Sequence, residues 1–141
     1  MARRWQDGPG TLGLPEGGAV ALEIAASYRA RTRGLLGRDG IGGDGAARAL
    51  LLTPAGSVHT FGMRFAIDVA YLDRRLRVLA VRTMVPGRLG LPRVRSRHVL
   101  EAAAGAMAGW GLRPGVTVSV AAGGAEGWAA SGAGGGAADP G

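Results

Sequence analysis

Two histidines, His59 and His98, and two carboxylates set in apolar stretches, Asp68 and Glu101, are the side chains of this 141-residue sequence best suited to chemistry near neutral pH. Asp68 lies between Ile67 and Val69, and Glu101 follows Val99 and Leu100. An ionised carboxylate buried in such surroundings is costly unless something pairs with it. For Asp68 the local candidates are Arg64, four positions earlier, and the backbone amides of a turn over Thr60 to Met63. Asp68 then either locks the turn before the next strand or serves as a site carboxylate, and Glu101 poses the same choice. Ser57 stands two residues from His59, a spacing that in a strand puts both on one face with backbones about 7 Å apart. No G-x-S-x-G elbow surrounds Ser57, so it reads as a turn or strand-end residue rather than a nucleophile. The histidines with Asp68 or Glu101 offer nitrogen and oxygen ligands, but no H-x-x-x-H or H-E-x-x-H spacing pre-orients them, and no metal site is predicted.

Charge is the other chemical signal. All 17 basic residues are arginine, the net charge is +7 and the pI is about 11.5. Arg74, Arg75 and Arg77, together with a basic loop carrying Arg88, Arg93, Arg95 and Arg97 between Pro86 and His98, raise a polyanion or nucleic-acid reading. That loop could clamp a phosphate or carboxylate. Against the nucleic-acid reading, aromatic residues for base stacking are few, and arginine with alanine, glycine and proline is what GC-rich coding produces. Two G-x-G-x-x-G matches, Gly8-Gly10-Gly13 and Gly40-Gly42-Gly45, carry little information in a chain with 27 glycines, and neither sits between a strand and a helix in the required order. The absence of cysteine removes disulfides, thiolate ligands and thiol catalysis, and fits a reducing compartment.

The elements that must position these groups follow from periodicity. Residues 1–16, with Gly8, Pro9, Gly10, Gly13 and Pro15, read as a flexible arm, and residues 122–141 as a disordered Gly/Ala-rich tail, leaving one globular β-rich domain over 17–121. Val20, Leu22 and Ile24 alternate as a first strand. Ser27 is placed to cap a short helix from Tyr28 to Leu36, closed by Gly37. Ala49 to Leu52 is a buried strand. Ile67 to Leu72 and Leu76 to Val85 form a hairpin about a turn at Asp73 to Arg75, its second arm either bulged or buried on both faces. His98 to Ala102 is a strand, Ala103 to Trp110 one or two helical turns, and Val116 to Val120 a closing strand. The fold class is α+β, mainly β: a small antiparallel sandwich or barrel-like domain of about six strands with two short helices. Gln6, Asp7, Gly8 and Pro9 stand where a signal peptide needs an apolar run, and Val99 to Trp110 is too short and polar to span a membrane, so a cytoplasmic location is expected.

Five pieces in order carry a resemblance: Arg33-Gly34-Leu35-Leu36-Gly37-Arg38; His59-Thr60-Phe61-Gly62-Met63; Ile67-Asp68-Val69-Ala70-Tyr71-Leu72-Asp73; Val99-Leu100-Glu101 with Gly105; and Gly111-Leu112 with Gly115. Over Val20 to Val120 the chain resembles the bacterial and archaeal family known as domain of unknown function 192 (DUF192). It departs from the family pattern with Leu36 for a methionine, Ala66 where proline is common and Val116 where aspartate is frequent. The resemblance implies a compact, mainly antiparallel β domain with a short helix packed on it, and no particular activity. Its recurrent positions fall here on Arg33, Gly34, Leu35, Arg38, His59, Phe61, Met63, Asp68, Asp73, Glu101 and Gly105. The leading functional expectation is an accessory or ligand-binding domain in which Arg33, Arg38, His59, Arg64, Asp68 and Glu101 share a polar cleft for a small anionic group. The alternatives are a hydrolase-type enzyme using His59 with Asp68 or Glu101, and, less favoured, arginine-mediated polyanion or nucleic-acid binding. No cofactor and no membrane or nucleic-acid partner is expected, and the oligomeric state is not legible.

Overall fold

The computed structural model describes residues 5–35, 38, 40, 41 and 47–123. Among them the chain forms β1 (Gly8–Gly13), β2 (Ala19–Ala25), α1 (Tyr28–Arg33), β3 (Ala49–Leu52), β4 (Val58–His59), β5 (Ile67–Leu72), β6 (Val78–Met84), β7 (Leu89–Gly90), β8 (His98–Ala103), α2 (Ala106–Gly109) and β9 (Ser119–Ala122). Seven strands make one sheet in the order β6-β5-β8-β3-β2-β1-β9, and β4 and β7 pair separately. The fold is mainly β with two short helices, as the periodicity predicts. The sheet is mixed rather than purely antiparallel, because β2 and β3 run parallel. Parallel neighbours need a crossover rather than a hairpin, and α1 lies on that connection. Ser27 caps α1 as expected, its Oγ accepting from the Ala30 amide at 3.1 Å. The helix ends earlier than its sequence spacing suggests, at Gly34, whose φ of +45° breaks the helical run. Leu36 and Gly37 lie outside the described residues.

Within the segment read as a flexible arm, residues 8–13 form a strand. Gly8–Gly13 pairs along its full length with β2 and also with β9. Gly10 has a structural reason to be glycine, since a Cβ there would stand 2.8 Å from the Ala121 carbonyl and 3.1 Å from Ile24 Cδ1. Asp7 adds a second anchor: its Oδ1 accepts from the Ala26 and Ser27 amides at 2.6 and 2.7 Å, and hydrogen bonding by the Ser27 side chain, followed by these two amides, holds its carboxyl below the ordinary value. Local composition argues against order in this segment, and pairing with the adjacent β2 and the distant β9 overrides it. The 122–141 tail lies outside the described residues except for Ala122 and Gly123.

The sheet has a core on each face. Leu12, Leu22, Ile24, Leu51, Ala70, Leu72, Leu100 and Met107 belong to the first; Leu35, Leu50, Val58, Met63, Ile67, Val69, Tyr71 and Val99 belong to the second. All six residues of β5 are therefore buried, and its two faces serve different cores. The edge strands β6 and β9 meet just before they begin, at an Arg77–Thr117 bridge, so the sheet curls round the first core as an open sandwich. The hairpin second arm is bulged, with a register shift at Tyr71/Leu72. Its turn is closed by Asp73, whose Oδ1 accepts from the Arg75 and Arg77 amides at 2.8 and 3.0 Å.

The β4–β7 pair, too short to be read from periodicity, depends on close approach at Gly90. A Cβ there would collide with the Tyr71 hydroxyl and stand 2.8 Å from Val58 Cγ1. Gly90→Ala is expected to cost about 1–3 kcal/mol through overpacking. A urea-unfolding midpoint equal to that of the unsubstituted chain would show that Val58 and Tyr71 give way instead.

Candidate functional site

Over the second core, α1 and the segment around β4 leave a cavity of ≈ 110 Å³. Leu35, Leu52, Val58, Met63 and Val99 supply its apolar lining; Arg31, Thr32, Arg33, Ser57, His59 and Glu101 supply its polar groups. Each arrives by a local rule. Val58 is buried in the second core while its neighbours Ser57 and His59 are exposed, as strand alternation requires, and all three reach the cavity wall. Arg31 and Arg33 lie in the last turn of α1, where a cation opposes the negative end of the helix dipole. Arg31 is also tied down, its Nε donating to the Ala26 carbonyl at 3.3 Å and its Nη1 to the Pro54 carbonyl at 3.2 Å. His59 stacks on Phe61 with ring centroids 5.3 Å apart. Behind this rim, Thr60 is fully buried, its hydroxyl donating to the Val85 carbonyl and accepting from the Arg88 amide, each at 2.7 Å.

Glu101 is the unusual member. Register places it beside Leu50 of β3 and Val69 of β5, both in the second core, so its side chain faces the cavity. It is 4 % exposed and makes no hydrogen bond or ion pair among the described residues. Burial alone pushes its carboxyl from 4.5 up to about 7. The site thus combines a carboxyl able to be neutral or charged near physiological pH with an arginine and a histidine at the rim. Among the described residues no group of three His, Asp or Glu side chains is placed to hold a metal ion.

Of the six residues expected to share a cleft, Arg33, His59 and Glu101 do. Arg38 pairs with Glu23 at 3.2 Å on the surface, outside the cavity. Arg64 is exposed ahead of β5 and is not among the lining residues. Asp68 is a correction of another kind. It stands opposite Ala102, a residue of the first core, and therefore faces away from Glu101. Its partners are neither Arg64 nor the Thr60–Met63 amides but the Gly105 and Met107 amides, at 2.9 and 3.1 Å, and the Thr83 hydroxyl at 2.7 Å. It caps α2, which has no side-chain cap of its own. His98 is also remote from the cavity, buried with Nδ1 2.7 Å from Thr53 Oγ1 and its ring edge-on to Trp5. Sequence reasoning passed over Arg31 and Thr32; nothing distinguishes them from other helix-surface residues until α1 is packed on the sheet.

The sequence profile of DUF192, described as "Uncharacterized ACR", matches residues 14–120. The chain belongs to the DUF192 family. A UPF0127 protein of Pyrococcus horikoshii is 42% identical over 45 residues, a stretch that spans 32% of this chain and 39% of that protein. Two crystal structures share the fold seen here. A protein of unknown function from Novosphingobium aromaticivorans superposes with a TM-score of 0.64 at 21% identity, covering 84% of this chain and 91% of the other. A "putative transcription regulator" from Sinorhizobium meliloti gives a TM-score of 0.65 at 17% identity, covering 85% and 98%. At these identities the likeness shows the fold alone. No helix among the described residues is long and apolar enough to cross a membrane.

Proposed function

We propose that this DUF192 domain binds a small ligand with an apolar body and one anionic group in the cavity between α1 and β4. The observation that carries the reading is Glu101, a nearly fully buried carboxyl that opens into a cavity and has no partner among the described residues. Burying such a group costs several kcal/mol unless something hydrogen-bonds to it, so a ligand is the missing half of the interaction. In its protonated form Glu101 donates to an anion oxygen while Arg33 and His59 face the remaining charge. Leu35, Leu52, Val58, Met63 and Val99 accept the apolar body.

The test is an NMR titration of the full chain at pH 6 with formate, acetate, propionate, butyrate and phosphate, following the methyl groups of Val58, Met63 and Val99. The longer carboxylates are expected to shift these resonances most, and Arg33→Ala or His59→Ala to weaken the effect about tenfold. Protonated Glu101 is the binding form, so affinity is expected to hold below about pH 7 and to fall by up to tenfold per unit above it. Glu101→Gln, which keeps a donor and cannot ionise, should flatten that dependence. No response to any of the five anions would end the reading.

A second reading of the same cavity is favoured by the near-neutral Glu101. With His59 on the rim it supplies an acid and a base of the kind a hydrolase uses. Here Glu101→Gln would abolish turnover of an ester or amide substrate rather than leave low-pH binding intact.

A further inference from the structure

A separate recess of ≈ 420 Å³ lies between the β5–β6 turn and the loop before β8, lined by Asp73, Arg74, Arg75, Arg95 and Arg97. It shares no lining residue with the Glu101 cavity. We infer that this recess is a second binding site, for a compact anion carrying two or more phosphate charges, such as a pyrophosphate group.

Three features set it apart from a merely basic surface. First, the cations outnumber the carboxylate. Arg74, Arg75 and Arg95 are exposed, and their side chains make no hydrogen bond or ion pair among the described residues. The one carboxylate in the lining, Asp73, has its Oδ1 engaged by the Arg75 and Arg77 amides, and its single charge offsets one of the four cations. The remaining excess of guanidinium charge is repulsive, and a multiply charged anion between the arginines relieves that repulsion. Second, the frame is built. The Arg97 amide donates to the Leu72 carbonyl at 2.8 Å and joins the two loops. Ser96 holds the second loop from below, its amide donating to the Arg93 carbonyl at 3.0 Å and its hydroxyl to the Ala55 carbonyl at 3.0 Å. The Arg97 guanidinium is aimed by bonds from one Nη to the Val94 and Ser96 carbonyls, which leaves its remaining donors for a ligand. Third, the donor type is specific. Planar guanidinium forks match phosphate oxygens two at a time. The lining holds no aromatic side chain on which a base could stack, which favours a compact phosphate over single-stranded nucleic acid.

The experiment is calorimetric titration of the full chain with pyrophosphate at low ionic strength. Binding is expected, tighter than for inorganic phosphate. Arg75→Ala and Arg95→Ala should each weaken it about tenfold or more, while Arg29→Ala, at an exposed arginine in neither lining, leaves it unchanged. Arg75→Lys and Arg95→Lys should recover part of the loss, because charge returns without the fork. Both positions are exposed, and an unaltered unfolding midpoint verifies that the variants fold. The inference is overturned if pyrophosphate does not bind, or if it binds the Arg75→Ala/Arg95→Ala double variant as tightly as the original chain. It is equally overturned if a short DNA duplex binds and pyrophosphate cannot displace it, since that behaviour belongs to an extended polyanion track.

Discussion

Replacing Asp68 with alanine is expected to lower unfolding stability by about 3–5 kcal/mol, the largest effect of any single polar substitution considered for this chain. The carboxylate is 3 % exposed and accepts three hydrogen bonds, two of them from the backbone at the start of α2. Alanine leaves the Gly105 and Met107 amides buried or half-buried without an acceptor, and an unsatisfied buried donor costs roughly 1–3 kcal/mol. The loss spreads further, because Met107 is wholly buried in the first core and the helix turn that carries it would be freed. Asp68→Asn, which keeps one acceptor oxygen, is expected to cost about half as much. Thr83→Ala, which removes only the exposed hydroxyl partner, should cost about 1 kcal/mol or less. Urea unfolding at pH 7 reads all three. An Asp68→Ala midpoint within about 1 kcal/mol of the parent would show that α2 is held mainly by packing. None of these changes should alter ligand affinity at the Glu101 cavity, because Asp68 faces the opposite side of the sheet.

The second large effect is a pH-dependent stability set by Glu101. Its folded-state value is raised to about 7 from 4.5, so the neutral carboxyl is the form the fold tolerates. Below about pH 4.5 the group is protonated in both folded and unfolded chains and stability is full. Between 4.5 and about 7 the unfolded chain releases its proton while the folded chain keeps it, and stability falls. Above about 7 the folded chain ionises as well, and the penalty levels off at about 3 kcal/mol. Glu101→Gln cannot titrate. Relative to the parent it is therefore expected to gain about 3 kcal/mol between pH 4 and pH 9, most of it between 4.5 and 7. Taking the difference between variant and parent at each pH cancels the contribution of the other titrating groups. A flat difference would mean that Glu101 is as well solvated or as well paired in the folded chain as in the unfolded one.

Several features could be read before folding because their causes are local. Ser27 was identifiable as a cap from its place before a helix, and Asp73 to Arg75 as a hairpin turn. The alternation of Val20 to Ala25, the run Ala49 to Leu52 and the hairpin arms all report their own burial. Local composition also misled. The glycines of β1 suggest an arm, yet β2 pairs with this segment along its full length and β9 over Gly10–Gly13. The two-residue strands β4 and β7 have no period to detect, and they form because Gly90 lets Val58 and Tyr71 approach.

The candidate site divides along the same line. Ser57 and His59 share a face by strand alternation, so their joint presence in the cavity follows from spacing. The two carboxylates do not separate so easily. Asp68 and Glu101 each sit in an apolar strand, and each looks like a buried group in need of a partner. Their roles part because β5 and β8 pair in a register that sets Asp68 opposite Ala102 and Glu101 opposite Val69. A slip of one residue would turn either strand over and exchange the faces of its side chains. By itself, then, the sequence determined that this is a cysteine-free, mainly β member of its family with two costly carboxylates. Only the tertiary structure decided that Asp68 caps a helix while Glu101 faces a cavity, because the relative phase of two strands is a property of their pairing and of neither strand alone.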